Sequence, residues 1–347
     1  MRFWQLSEVN MKDSLGIEKS LNLFPEQLRE AWKQATSGEL PEITFKKIII
    51  SGMGGSSLAG RIISSINEGG GSTEIITFND YGLPGYVDSS WTLIANSYSG
   101  NTEETLSAID LAKTRGIKTY AVSTGGKIGE MIKSGEIYGA ILTPTTNPSN
   151  FPKSALGISL GGLLGLMCRT GVINLSEEEF QKSIEELVQI RKNWDVKSMA
   201  QKMNQKIPAI IAARPLLGSL HAGRNVINEI GRTFASFFDL PELDHHLVEA
   251  TMFPKNSFKD IYYLFFVSDL YPERIKTRIK ITKDLFTEQE LNFGEVKLAG
   301  SNSLTQAFEI PHYCAWLAFY FSELNGEDPG PEPWILRLKK ELSQPVH

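Results

Sequence analysis

Apolar positions along this chain follow two alternating rhythms. Short β-branched runs lead into Gly- or Pro-bearing turns, and the turns lead into stretches with apolar residues at helical spacing. "FPEQLREAWKQA" predicts a helix within a helical N-terminal segment, residues 1–40. "FKKIIISGMGGSSLAGRIISSI" predicts a strand, a Gly-rich turn and an amphipathic helix. "TEIITFND" and "WTLIANSYSG" follow as strands, "TEETLSAIDLAKTRG" as a helix, and "KTYAVSTGGKIGEMIKSG" with "GAILTPTT" as a strand–helix–strand unit. "ALGISLGGLLGLMCRTG" reads as a buried helix, and "SEEEFQKSIEELVQIRKNW" as a surface helix capped by Ser176 ahead of an acidic first turn. The rhythm then restarts with strand-like "KIPAIIAARP", helix-like "LHAGRNVINEIGRTFA", strand-like "KDIYYLFFVSD", the basic-faced helix "ERIKTRIKITKDLF" and the strand "FGEVKLAG". "SLTQAFEIPHYCAWLAFYFSELNG" predicts a long buried helix, broken or kinked at Pro311. Strands alternating with helices imply an α/β protein: two doubly wound parallel-sheet lobes, three-layer αβα and flavodoxin- or Rossmann-like. The expected division is a first lobe at 41–155, linking helices at 156–200 and a second lobe at 201–347.

Composition narrows the class of partner. A net charge of −5 leaves no basic excess to neutralise phosphates, so nucleic acid is not expected as the main partner. The first fifteen residues lack an apolar core followed by a small-residue cleavage site, and the longest apolar stretch is short and broken by Gly. Neither a signal peptide nor a membrane span is expected. Cys168 and Cys314 are far apart in apolar segments, which reads as two reduced core thiols and a cytoplasmic protein. No Cys or His spacing suits a metal, and no cofactor is expected.

Gly52, Gly54 and Gly55 stand between a strand and a helix, where backbone N–H groups and the helix dipole favour an anion. Alone, "GMGGSS" is a weak signal that also reads as a structural tight turn. It lacks the sixth-position Gly of a dinucleotide fingerprint and the Lys of a Walker loop. The second turn, "NSYSGNTEET", changes the picture. Turns after neighbouring parallel strands meet at one carboxyl edge, so Ser56 is expected to share a crevice with Ser97, Ser99 and Thr102. Four hydroxyls and helix-start amides suit a phosphate monoester. A dinucleotide site, with Asp80 on the ribose, leaves the second cluster without a task.

At "GMGGSSLAG" and "NSYSGNTEET" the chain resembles the sugar isomerase (SIS) domain family. "NFPKSALG", "NEIGRTFASFFDLPELDHHLVEA" and "NGEDPGPEPWILRLKKEL" are similar in order and spacing to its bifunctional phosphoglucose/phosphomannose isomerase subgroup. The resemblance implies a hexose 6-phosphate substrate, isomerised through a cis-enediol. It implies phosphate binding by Gly55, Ser56, Ser97, Ser99 and Thr102, with Glu229 as base and His245 opening the sugar ring. Lys153 stands at the family's Arg position, beside the enediolate, and Lys339 matches a Lys that assists ring opening. By themselves these residues read otherwise: Glu229 as a solvated helix face, the His245–His246 pair as a surface turn, and Lys339 and Lys340 as an exposed helix end. His221 and His312 read as satisfied core or interface residues. The family implies a homodimer with shared active sites, for which the apolar helices near 156–167 and 311–322 offer an interface or else intramolecular core. Ile230, Asp244, Leu247 and Lys153 depart from the family's catalytic motifs while the phosphate segments are intact. That asymmetry also fits a non-catalytic sugar-phosphate-binding regulator on the same fold.

Overall fold

The structure is a computed structural model describing residues 12–255 and 257–342. The N-terminal residues on which the signal-peptide expectation rests lie mostly outside the described residues. β1 (Lys47–Ser51), β2 (Glu74–Phe78), β3 (Thr92–Ser97), β4 (Lys118–Ser123) and β5 (Tyr138–Ile141) form one sheet in the order β2-β1-β3-β4-β5. β6 (Ile207–Ala213), β7 (Ser236–Leu240), β8 (Ile261–Val267) and β9 (Asn292–Lys297) form a second in the order β7-β6-β8-β9. Every pairing is parallel. β7 was not anticipated from sequence. It is an edge strand whose residues are mostly half-buried, so "SFFDL" carries neither clean alternation nor a fully apolar run.

In the first sheet, Ile48 and Ile50 pack to one side and Ile49 to the other, while Leu93 and Ala95 oppose Ile94 across β3. Both faces are therefore covered, as a parallel sheet requires. One side belongs to an apolar core that runs on through the N-terminal and linking helices into the second lobe. The glycines that break up the apolar stretch Leu156–Arg169 have a packing reason. A Cβ at Gly161 would stand 2.4 Å from the carbonyl oxygen of Leu28, so the helix Phe24–Ala35 lies directly against this one. This helix and the middle of Ser303–Asn325 are buried within the chain, which makes them core rather than interface.

Ser303–Asn325 passes through Pro311 unbroken and ends at Gly326 in the left-handed region, φ 68°. Pro311 has no N–H to offer the carbonyl of Ala307, and Ser219 Oγ donates to that oxygen at 2.9 Å. The Ser176 cap forms as expected: its hydroxyl accepts from Glu179 N at 3.2 Å, and Glu179 Oε2 accepts from Ser176 N at 2.9 Å. Cys168 and Cys314 are both free. Among the described residues no helix is long and apolar enough to cross a membrane.

Candidate active site

The first sheet changes winding direction between β1 and β3, and the turns after these two strands are the two sequence motifs. Ligands bind at such switch points. The Ser56 helix (Gly54–Asn67) and the helix Glu103–Thr114 both start there, and neither first turn has a side-chain cap. The Ser56 and Ser57 amides donate to Met53 O at 3.2 and 3.4 Å, and a helix start without a side-chain cap suits an anion at its first amides. Ser56 ties the turns together: its Oγ accepts from Tyr98 N at 3.0 Å and its carbonyl from Asn96 Nδ2 at 2.8 Å. Ser97 Oγ lies 2.9 Å from Thr102 Oγ1 and accepts from Gly100 N at 3.1 Å. Gly100 sits at φ 69°, which brings this amide back over the turn. Ser99 is exposed and its Oγ accepts from Asn101 N at 3.3 Å.

The cation of the site is next door. A Cβ on Gly55 would stand 3.4 Å from the carbonyl oxygen of Pro152, so the Gly-rich turn after β1 borders the short 3-10 turn Pro152–Ser154 that carries Lys153. Asn147 Nδ2 braces the two, donating to Tyr98 Oη and Phe151 O, both at 3.1 Å. Lys153 is buried, and all three of its ammonium protons have acceptors: Pro329 O at 2.8 Å, Gly330 O at 2.7 Å and Glu332 Oε1 at 3.3 Å. Burial lowers its pKa, while Glu332 and then Glu229 oppose the shift.

Glu229 is the last residue of the helix Leu217–Glu229. Burial, then the negative charge of Glu332, push its carboxyl up to about 7, against the pull of Lys153 and Lys339. A carboxylate near neutrality beside cations suits proton transfer at a carbon whose charge develops onto oxygen. Glu229 is half-buried at the end of its helix rather than on a fully solvated face.

Two participants were missed by sequence reasoning. Glu332 shares Lys153 with Glu229, and Arg232 holds the segment that brings it in. Arg232 Nη2 donates to Asp328 O at 2.6 Å and Pro331 O at 2.7 Å, and Nη1 pairs with Glu327 at 2.9 Å. The available signal was the Pro-rich "DPGPEP", whose carbonyls cannot all be satisfied within so short a turn.

His245 is not brought to Glu229. It is exposed in the 3-10 turn Glu242–His245, at the end of β7 opposite to the Glu229 helix, as is the neighbouring His246. Asp244 is not free to act on either imidazole: its oxygens take Arg278 Nη1 at 2.8 Å and Thr282 Oγ1 at 2.7 Å. Lys339 lies on the exposed helix Pro333–Leu342, and its charge, like that of Lys153, reaches Glu229. His312 departs from the satisfied-core reading. It stacks on Phe24 at 4.8 Å, but neither ring nitrogen has a hydrogen-bond partner among the described residues. With Lys153 and Ser154 it lines a cavity of about 20 Å³, room for one water. Among the described residues no cluster of His, Cys, Asp and Glu is placed to hold a metal.

Hydroxyl-rich turns at the switch point of one parallel sheet, with a half-buried carboxyl of a second lobe in electrostatic reach of the lysine beside them, define a protein of the SIS class. Its fold is shared with tagatose-6-phosphate ketose/aldose isomerase from Escherichia coli, at TM-score 0.67 and 15% identity over 92% of this chain and 94% of that one. Residues 192–342 match the bacterial phospho-glucose isomerase C-terminal SIS domain. The chain is 31% identical to the bifunctional phosphoglucose/phosphomannose isomerase of Aquifex aeolicus, over 86% of its own length and 91% of the relative's. The enzyme of the same name from Caldicellulosiruptor bescii is 29% identical over 94% of this chain and 98% of its own. The chain belongs to the bifunctional phosphoglucose/phosphomannose isomerase family.

Proposed function

We propose that this protein interconverts glucose 6-phosphate, and also mannose 6-phosphate, with fructose 6-phosphate, in cytoplasmic glycolysis and gluconeogenesis. The observation that carries the reading is the half-buried Glu229 carboxyl, held at about 7 within electrostatic reach of Lys153, whose turn borders the Gly55 turn. Ser56, Ser97, Ser99 and Thr102, with the amide of Gly55, hold the substrate phosphate. Glu229 takes the proton from C2 of the open-chain aldose and returns it to C1 of the cis-enediol, while Lys153 offsets the negative charge on the enediolate oxygen. The Glu332 contact at 3.3 Å is the longest of the three made by Lys153, and it is the one a substrate oxygen replaces. A regulator that only bound sugar phosphate needs the cradle but has no use for Glu229 at about 7. A coupled assay on fructose 6-phosphate with purified protein tests the proposal; tight binding of that sugar with no turnover sinks it.

The cradle has its own signature. Replacing Ser97 with Ala is expected to raise KM for fructose 6-phosphate by about 10- to 100-fold, the worth of a charge-assisted hydrogen bond, with kcat little changed. Steady-state kinetics on S97A separates this from a general loss of fold, which lowers both.

His245 is proposed to serve, with Lys339, in ring opening at the neighbouring subunit's site of a homodimer. Its exposure supports this, as do the exposed Phe234, Met252 and Phe253 on the segments flanking the β7–His245 region. Glu229→Gln and His245→Asn chains, each nearly inactive alone, are expected to regain activity when unfolded and refolded together. Random pairing leaves about a quarter of the sites with both native groups. No recovery in a mixture shown by mass to be dimeric means that each chain completes its own site.

A further inference from the structure

Away from the phosphate turns, a second group of cations collects where the Ser56 helix crosses the Glu229 helix. The crossing is close: a Cβ on Gly218 would stand 2.1 Å from the carbonyl oxygen of Arg61. Further along the Glu229 helix, His221 and Arg224 share a face and are fixed there. Arg224 Nη2 donates to His221 Nε2 at 2.8 Å, the His221 ring stacks on Phe237 at 5.1 Å, and the Arg224 guanidinium lies over the same ring at 5.4 Å. Burial, and then the positive charges of Arg61 and Arg224, push the imidazole down to about 4, so His221 is neutral and brings no countercharge.

What this cluster lacks is an acid. Neither Arg61 nor Arg224 forms an ion pair with a carboxylate among the described residues. Glu68, further along the helix of Arg61, is taken by Arg214. Arg61 donates to Asn79 Oδ1, and Asn79 in turn donates to Gly52 O at 2.7 Å and Ser57 Oγ at 2.6 Å, on the phosphate turn. Arg224 Nε is buried with no acceptor among the described residues. Two half-buried guanidiniums, with Arg224 close enough to disfavour the charge on Arg61 and bearing an orphaned N–H of its own, carry a cost that an oxyanion removes. Planar guanidinium forks match tetrahedral phosphoryl oxygens, and two cations favour a dianion.

We propose that Arg61, Arg224 and His221 form a second oxyanion site, distinct from the Ser/Thr cradle, that takes the phosphoryl group of a small free anion. Occupied, it ties the helix bearing Ser56 to the helix ending in Glu229, so it bridges the two lobes at the point where the active site is divided between them. Neither the turns nor Glu229 is needed for it to bind, and it stands whether or not the isomerase reading holds.

Calorimetric titration of the full chain with inorganic phosphate, at fixed ionic strength, is expected to show two sites per chain. Arg224→Gln and Arg61→Gln should each weaken one of them by about tenfold or more, the loss of one charge-assisted contact, and leave the other in place. Ser97→Ala with Thr102→Val should remove the one that the arginine variants keep. A single phosphate per wild-type chain that the arginine variants keep, or that Ser97→Ala with Thr102→Val removes, overturns the proposal. Two sites that both persist in the arginine variants overturn it as well. So does a single site combined with loss of dimer mass in Arg224→Gln, because a carboxylate of a second copy then fills the cluster.

Discussion

Glu229→Gln is expected to lower kcat for fructose 6-phosphate isomerisation by about 10²- to 10⁴-fold, the range that a positioned general base supplies, with KM changed little. In the unmodified protein the base works only when ionised, so activity should rise with pH through a midpoint at about 7, where burial and Glu332 hold this carboxyl. The same shift has a consequence for stability, of opposite sign to its benefit for catalysis. The carboxyl titrates at about 7 in the folded chain against an ordinary 4.5, so between those values the folded state binds more protons than the unfolded. Stability therefore falls as pH rises through that window, and the loss is complete above it. At full size the shift corresponds to about 3 kcal/mol. Glu229→Gln, which has no charge to bury, should thus be more stable than the parent at pH 8 and gain little at pH 4. Thermal unfolding of both proteins at the two pH values checks this. Equal melting shifts at both mean that Glu229 is not held near neutrality, and the proposed base loses its main support.

How much of this was legible beforehand depended on whether a feature is local. β1, β3 and their turns were readable because each is a contiguous run: apolar strand, small residues, then helix. The alternation of strands and helices also fixed the carboxyl edge at which the two turns meet, before any distance was known. β7 was not readable, since an edge strand half-buried on both faces leaves no periodic trace in "SFFDL". Glu229 and His245 lie close together in the sequence, yet β7 runs between them. A strand of that length spans about 16 Å, enough to put them at opposite ends of the second sheet. Glu332 was invisible for the reverse reason. Its partner Lys153 is remote in sequence, and only the fold, with Arg232 gripping the intervening turn, brings a second carboxylate onto the same cation.

That shared cation makes Lys153 the residue whose loss should cost most in both stability and rate. In Lys153→Met the carbonyls of Pro329 and Gly330 lose their donor and Glu332 is left nearly buried without a partner. Removing one member of a buried ion pair typically destabilises by about 3–5 kcal/mol, more than most core substitutions here should. Glu229 also loses an opposing cation, so its carboxyl should rise further and the rise of activity should move to higher pH. Loss of the charge that meets the enediolate should separately lower kcat by about 10²- to 10³-fold. The two effects are separable by a second substitution. In Lys153→Met with Glu332→Leu no charge is left unpaired, because both members are replaced by apolar groups. That double variant is expected to recover most of the lost melting temperature while kcat stays low. If turnover returns along with stability, Lys153 serves only to hold the 329–332 turn in place, and the negative charge formed during isomerisation must be met by Lys339 or by the substrate's own hydroxyls.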